Sequence, residues 1–207
     1  MRIGVYGGSF DPVHLGHLLA AECCREQAGL DRVVFVPAAV PPHKRDRTLA
    51  PAEDRLAMLR LATGGHDAFA VSTVELDRGG VSWTVDTLAA LAAAEPGVEL
   101  RLILGPDALA DLPTWREPGR ILTLAEPLAV ERDSLDDVAS LAANRPLADL
   151  LGAERLARLV AGRVRMPAIG IRASGIRARV AEGRSIRHLV PRAVEAYIAA
   201  HGLYRNA

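Results

Sequence analysis

Apolar positions recur along the chain at two spacings. Residues 3–6 form a short apolar run closed by Gly7-Gly8, and over residues 15–28 apolar positions return with helical spacing until Gly29 stops them. The next run, residues 32–36, is rich in β-branched side chains. A strand, a glycine turn, a helix and a second strand in such quick succession make a βαβ unit, which requires parallel strands with the helix crossing one face. The alternation then predicts a helix over 51–62, a strand over 69–74, a helix over 84–94, a strand over 99–104 ended by Gly105, a helix over 118–124 and a strand over 127–130. Residues 135–163, rich in Ala, Leu and Arg, read as a helical insertion. Helices over 177–182 and 192–200 close the chain, with Gly183 and Gly202 as stops. The pattern is α/β. It shows no repeat and no dividing linker, so residues 1–207 are expected to form one domain with a small helical C-terminal part from about 168 onward.

Composition narrows the function classes. Half of the 207 residues are apolar, enough to bury roughly 70% of the unfolded surface in one domain. Lys plus Arg and Asp plus Glu both number 25. With zero net charge, no overall field favours nucleic acid or an anionic membrane, and any grip on an anion must be local. No apolar run reaches the ~18 residues of a membrane span, and the apolar start before Gly7 is too short for a signal peptide. The two cysteines, Cys23 and Cys24, are adjacent on the expected helix, where their side chains diverge, so a reduced, cytoplasmic protein is expected. Every basic residue except Lys44 is arginine, which singles that lysine out.

The densest segment is the first loop, Gly7-Gly8-Ser9-Phe10-Asp11-Pro12-Val13-His14-Leu15-Gly16-His17. In an open parallel sheet, ligands bind beyond the carboxyl ends of the strands, where this loop falls. Its glycines let the backbone approach a ligand, and the N–H groups at the start of the following helix favour phosphate. It lacks the G-x-G-x-x-G of dinucleotide folds and the G-K-[ST] of a P-loop, so hydride transfer and Walker-type hydrolysis lose their usual support. It offers instead His14 and His17, only about 60° apart on a helical wheel, so that both imidazoles can face one phosphate. An ordinary helix cap is the competing reading. Zinc is disfavoured, because metalloprotease helices space their histidines by four with a glutamate between, and no third ligand is evident.

Gly8-Ser9-Phe10-Asp11-Pro12 with His14-x-Gly16-His17 resembles the signature of the nucleotidylyltransferase superfamily. Further blocks resemble the bacterial nicotinate mononucleotide adenylyltransferase family: Val40-Pro41-Pro42-His43-Lys44, Glu75 through Leu88 including Ser82-Trp83-Thr84, Leu104-Gly105-Pro106-Asp107 with Pro113-Thr114-Trp115, and the tail from Ile176-Arg177 to Gly202-Leu203-Tyr204. Only about 133–166 falls outside the resemblance. It implies a Rossmann-like, doubly wound parallel sheet with flanking helices, and transfer of the adenylyl group of ATP to nicotinate mononucleotide, giving nicotinate adenine dinucleotide and pyrophosphate in NAD biosynthesis.

The resemblance also implies roles. His14 and His17 would be catalytic and would meet the ATP phosphates together with Gly8, Ser9, Phe10, Lys44, Ser174 and Arg177, while Gly105 and Asp107 would take the ribose. Trp83, Thr84 and Trp115 would take the mononucleotide, with Mg²⁺ accompanying ATP and no metal site of the protein's own. Partners would be these two small molecules, with neither nucleic acid nor membrane; a homo-oligomer is left open. Two departures stand out: Arg172 and Ser174 occupy places where the family has Ser and Thr, and Glu131-Arg132-Asp133 replaces its Arg-Pro-Gly. Alternatives are a related transferase acting on nicotinamide mononucleotide or phosphopantetheine, and a nucleotide-binding sensor without turnover.

Overall fold

The computed structural model describes residues 1–41, 49–132, 141 and 143–205. Its elements run β1 (Arg2–Gly8), α1 (Leu15–Gln27), β2 (Arg32–Pro37), α2 (Ala52–Thr63), β3 (Phe69–Val71), α3 (Val74–Arg78), α4 (Thr84–Ala94), β4 (Glu99–Leu104) and α5 (Pro106–Asp111), then a 3₁₀ turn (Leu112–Thr114). They continue through α6 (Pro118–Leu124), β5 (Ala125–Arg132), α7 (Arg145–Ala161), β6 (Val164–Met166), α8 (Ala173–Ala181) and α9 (Arg192–Ala200). The strands form one parallel sheet in the order β3-β2-β1-β4-β5-β6, the doubly wound Rossmann-like arrangement, with the direction of winding reversing beside β1. Lys44 lies outside the described residues.

The chain divides into two compact units. The first comprises residues 1–6, 20–34 and 83–168. Here Ile3 pairs opposite Leu100 and Val5 opposite Leu102, Ile103 opposite Leu128, and Val130 opposite Val164. All are buried, as strands covered on both faces require. Gly4 lies within this packing: a Cβ there would stand 2.7 Å from Leu30 Cδ1 and 2.9 Å from Ile103 Cδ1. The stretch expected to be a helical insertion holds α7, which buries Leu147, Leu151 and Leu159. Its Arg155 donates to Glu126 and to the carbonyl of Leu122. Asn144 caps α7 by accepting the Leu147 N–H at 3.1 Å. The edge strand β6 was not expected. Three residues with an exposed arginine at the centre are too short a pattern to register.

The second unit comprises residues 7–19, 35–82 and 169–207. Met58 and Leu59 of α2, Val194 and Ile198 of α9, and Phe35 are buried in it. The three phenylalanines form one series of edge-on contacts, Phe10 to Phe35 at 5.8 Å and Phe35 to Phe69 at 5.4 Å. In so aromatic-poor a chain these rings supply much of the rigid bulk of this unit.

Several boundaries differ from the sequence pattern. β1 does not end before Gly7-Gly8 but runs through them, and the Gly8 carbonyl accepts the Ala38 N–H at 2.9 Å. The strand expected over 69–74 stops at Val71, and the short α3 follows, with the Thr73 hydroxyl donating to Asp77 at 2.7 Å. α8 begins at Ala173 rather than 177, because its N-cap residue, Arg172, has no capping side chain to announce it. α5 and the 3₁₀ turn after it lie outside the predicted elements as well; each carries a proline within its first two residues, which suits a helix start as readily as a loop. Both cysteines are free. Burial pushes the Cys24 thiol up to about 12, and partial burial with Glu26 and Glu22 pushes Cys23 up, so neither is a ready nucleophile.

Gly4→Ala is expected to destabilise the protein by about 1–3 kcal/mol through overpacking. Urea unfolding measures this; an unchanged midpoint would show that Leu30 and Ile103 yield without cost.

Candidate active site

The first cluster belongs to the second unit and follows the end of β1. His14 occupies the position just before α1 and His17 the third position within it. The rings stack, with centroids 3.7 Å apart and planes at 23°. The helical-wheel argument anticipated two rings on one side, but the cause is more specific, since His14 itself is not helical. The backbone N–H of His14 donates to His17 Nδ1 at 3.2 Å. This is half of a capping box, in which the third helical residue reaches back to the N-cap amide. An Nδ1 that accepts a hydrogen bond carries a lone pair, so the proton of the neutral ring sits on Nε2. The cap reading and the phosphate reading therefore use opposite nitrogens of one ring.

The helix start is less open than the sequence suggests. The Leu15 N–H donates to the Leu189 carbonyl at 3.0 Å and the His17 N–H to the His14 carbonyl at 2.9 Å. These amides are engaged internally and are not open donors at the helix start. Gly16 is favoured by the ring beside it, because a Cβ there would lie 3.1 Å from His14 Cε1 and Nδ1 and would press on that ring. Gly8 makes room for Phe10, whose ring would stand 3.2 Å from an added Cβ, whereas a Cβ on Gly7 would meet nothing within 4 Å. Phe10 takes a left-handed φ of 46° and its ring meets His17 edge-on at 5.1 Å.

Beneath the loop lies a polar network that the sequence reading did not pick out. Asp11 is buried, and its Oδ1 accepts from the Tyr204 hydroxyl at 2.8 Å and from the Ala50 N–H at 3.2 Å. Arg177 donates to the Asp11 carbonyl and stands 3.6 Å from its Oδ2. Arg55, 1% exposed, donates from Nη1 to the Ser9 carbonyl at 2.9 Å and from Nε to the Ala50 carbonyl at 3.0 Å. Burial lowers the Arg55 pKa against the pull of Asp11, and burial with Asp11 raises that of Tyr204, which keeps the phenol a neutral donor. Arg177, assigned to phosphate by resemblance, thus braces the loop, while Ser174 and Arg172 are exposed at the start of α8. The one signal for Arg55 was an arginine at a core-facing position of an amphipathic helix.

The second cluster belongs to the first unit. Trp83 is the N-cap of α4 and Thr84 its first residue, and no side chain caps this helix. Arg116 lies 5.6 Å over the Trp83 ring and 3.7 Å from Asp86 of the first turn of α4. Trp115 follows the 3₁₀ turn. Both tryptophans are partly exposed, so neither is core. The Trp115 indole Nε1 is buried without a hydrogen-bond partner among the described residues, so the surface this side chain shows is hydrocarbon. Gly105 is the N-cap of α5 and Asp107 lies exposed in its first turn, so Asp107 does not cap this helix. The hydroxyls next to the tryptophans in sequence are engaged with backbone: Ser82 Oγ accepts the Ala39 N–H, and Thr114 Oγ1 donates to the Asp111 carbonyl. Among the described residues, no group of three or more His, Cys, Asp or Glu could hold a metal ion.

Comparison with known proteins follows the same line. Residues 5–179 match the family described as cytidylyltransferase-like. The chain is 46% identical over 206 residues to a "probable nicotinate-nucleotide adenylyltransferase" of Thermomicrobium roseum, covering 99% of this chain and 92% of that one. It is 47% identical over 205 residues to a protein of the same description from Thermus thermophilus, covering 99% and 100%. Among solved structures, Plasmodium falciparum nicotinic acid mononucleotide adenylyltransferase complexed with NaAD aligns with a TM-score of 0.73 over 100% of this chain and 98% of that one. At 17% identity, that likeness speaks for the fold.

The cap geometry predicts that neutral His17 is the Nε2–H tautomer, readable from ¹⁵N ring spectra; a protonated Nδ1 would contradict it. Gly8→Ala should displace the His17 ring resonances through Phe10, whereas Gly7→Ala should leave them in place.

Proposed function

We propose, on the premise that this chain belongs to the cytidylyltransferase-like family and to the nicotinate-nucleotide adenylyltransferases within it, that it joins ATP to nicotinate mononucleotide, yielding nicotinate adenine dinucleotide and pyrophosphate. The observation that carries the proposal is the imidazole pair stacked beyond β1, with the His17 proton directed to Nε2 by the cap bond.

The chemistry asks for little beyond such donors. A phosphate monoester has a second pKa of about 6, so the nucleophile is largely dianionic at neutral pH and needs no general base. An oxygen of the mononucleotide phosphate attacks the α-phosphorus of ATP. The bond from that phosphorus to the bridging oxygen breaks, and pyrophosphate leaves with the electron pair. The barrier is electrostatic: two anions must meet, and charge grows on the leaving group. In this reading His14 and His17 donate to the triphosphate, with Gly8, Ser9 and Phe10 approaching through their backbone, Lys44 and Ser174 adding grip, and Arg177 bracing the loop from behind. Gly105 and Asp107 take the ribose, a carboxylate being a suitable acceptor for a diol. Mg²⁺ enters on the triphosphate, whose oxygens suit a hard cation, and lowers the repulsion between the anions.

For the second substrate, the hydrocarbon surface of Trp115 offers a face to the pyridinium, which an aromatic quadrupole attracts. The start of α4 at Trp83 and Thr84, with no side-chain cap, suits the ring carboxylate. Backbone donors and a helix dipole favour a carboxylate over a neutral amide, which is the physical reason to choose nicotinate over nicotinamide. Among the described residues no helix is long and apolar enough to cross a membrane, and we place the enzyme in the cytoplasm, where free thiols persist.

Incubation with ATP, Mg²⁺ and either mononucleotide, following pyrophosphate, tests the reading. Release with the nicotinate form alone is expected. Faster release with the amide would transfer the substrate, and ATP binding without release would make the protein a sensor. His17→Ala should lower kcat on the order of 10²-fold with the fold intact, because a transition-state donor is lost. Trp115→Ala should mainly raise KM for the mononucleotide, and an unchanged KM would assign that ring to structure.

A further inference from the structure

Two backbone carbonyls of the first loop are held by arginines. Arg177 takes the carbonyl of Asp11, and Arg55 takes the carbonyl of Ser9. Arg55 is the more unusual of the two. It lies on α2, far from the loop in sequence, it is 1% exposed, and it is the largest fully buried side chain among the described residues. Removing a guanidinium from water costs several kcal/mol unless its donors are met, so a purely structural place in a helix would be filled more cheaply by an apolar side chain. What Arg55 does there is specific. Its Nη1 holds the Ser9 carbonyl at 2.9 Å, and its Nε holds the Ala50 carbonyl at 3.0 Å, the residue whose N–H in turn reaches Asp11.

The Ser9–Phe10 peptide is trans, so its carbonyl and its N–H project from opposite edges of one plane. Fixing one edge fixes the other. A carbonyl turned toward a triphosphate would repel it, whereas the opposite edge of the same peptide attracts it. Phe10 holds a left-handed φ of 46°, a conformation that costs a side-chain-bearing residue of order 1 kcal/mol or more and that persists only where its surroundings impose it. The Arg55 bond lies immediately on the amino side of that strained residue.

We infer that Arg55 is a positioning residue for adenylyl transfer: by holding the Ser9 carbonyl on the buried side of the loop, it turns the N–H edge of the Ser9–Phe10 peptide away from the interior, to the face that meets the triphosphate. Arg55 does not touch substrate. It acts through the peptide plane and, through Phe10, on the His17 ring that Phe10 meets edge-on. The inference rests on the functional reading above and adds to it a residue outside the signature loop.

The test compares wild type, Arg55→Met and Met58→Ala, the last a fully buried residue of the same helix that has no bond to the loop. With folded protein verified by circular dichroism, Arg55→Met is expected to lose kcat by roughly 10–100-fold, since small misplacements of a binding group cost that much, while KM for nicotinate mononucleotide stays within about twofold. Met58→Ala should lose thermal stability without that loss of kcat. Equal kcat in Arg55→Met and wild type, or an equal loss in Met58→Ala at matched melting temperature, would overturn the inference. A second readout needs no variant. In ¹⁵N-labelled wild type titrated with ATP and Mg²⁺, the Phe10 amide resonance should shift at saturation; an unmoved Phe10 amide while His17 resonances shift would overturn the inference even if Arg55→Met did not fold. Failure of wild type to release pyrophosphate would sink the functional reading instead, while the ATP titration would still report whether the Phe10 N–H edge meets the triphosphate.

Discussion

A buried carboxylate organises the loop on which the chemistry depends. Asp11 is 3% exposed, and a charge so far from water persists only if donors replace its hydration. Both donors to its Oδ1 come from distant parts of the chain, a phenol near the C-terminus and an amide ahead of α2, while the guanidinium of Arg177 on α8 stands 3.6 Å from Oδ2 and donates to the Asp11 backbone carbonyl. These contacts tie Asp11 to three other segments of the chain. Tyr204 suits this place because its raised pKa keeps the phenol protonated, and a phenolate would turn a donor into a second buried anion.

From that anchored loop, order passes to the imidazoles by packing as much as by hydrogen bonds. Phe10 links the phenylalanine series of the second unit to His17, and Gly8 and Gly16 leave the volume that Phe10 and His14 need. The cap bond from the His14 amide then settles which nitrogen of His17 holds the proton. A group that must donate to charge developing on phosphate gains most when its orientation is settled before the substrate arrives, because no reorganisation is then required during reaction.

The same economy explains what the protein does without. An attacking phosphate dianion needs no base, so the thiols can remain inert, both raised chiefly by burial, with Glu26 and Glu22 adding to the rise of Cys23. A neutral overall charge imposes no long-range field, so attraction for an anion has to be local.

Much of the architecture was legible in the amino-acid order because it arises from local periodicity. α4, β4, α6 and α9 fall where the apolar spacing put them, and the α/β class followed from one βαβ unit. Motif spacing likewise marked the loop from Gly7 to His17, since glycines and paired imidazoles announce chemistry without reference to distant residues. What the order of residues left undetermined depended on contacts made at long range. β6 exists because β5 offers it an edge, and α8 starts four residues early although nothing at Arg172 marks a cap. Asp11, Arg55, Arg177 and Tyr204 meet across up to 193 positions of sequence. Periodicity reports which face of a segment avoids water; which buried polar atom satisfies which other is decided only when the chain has closed around them.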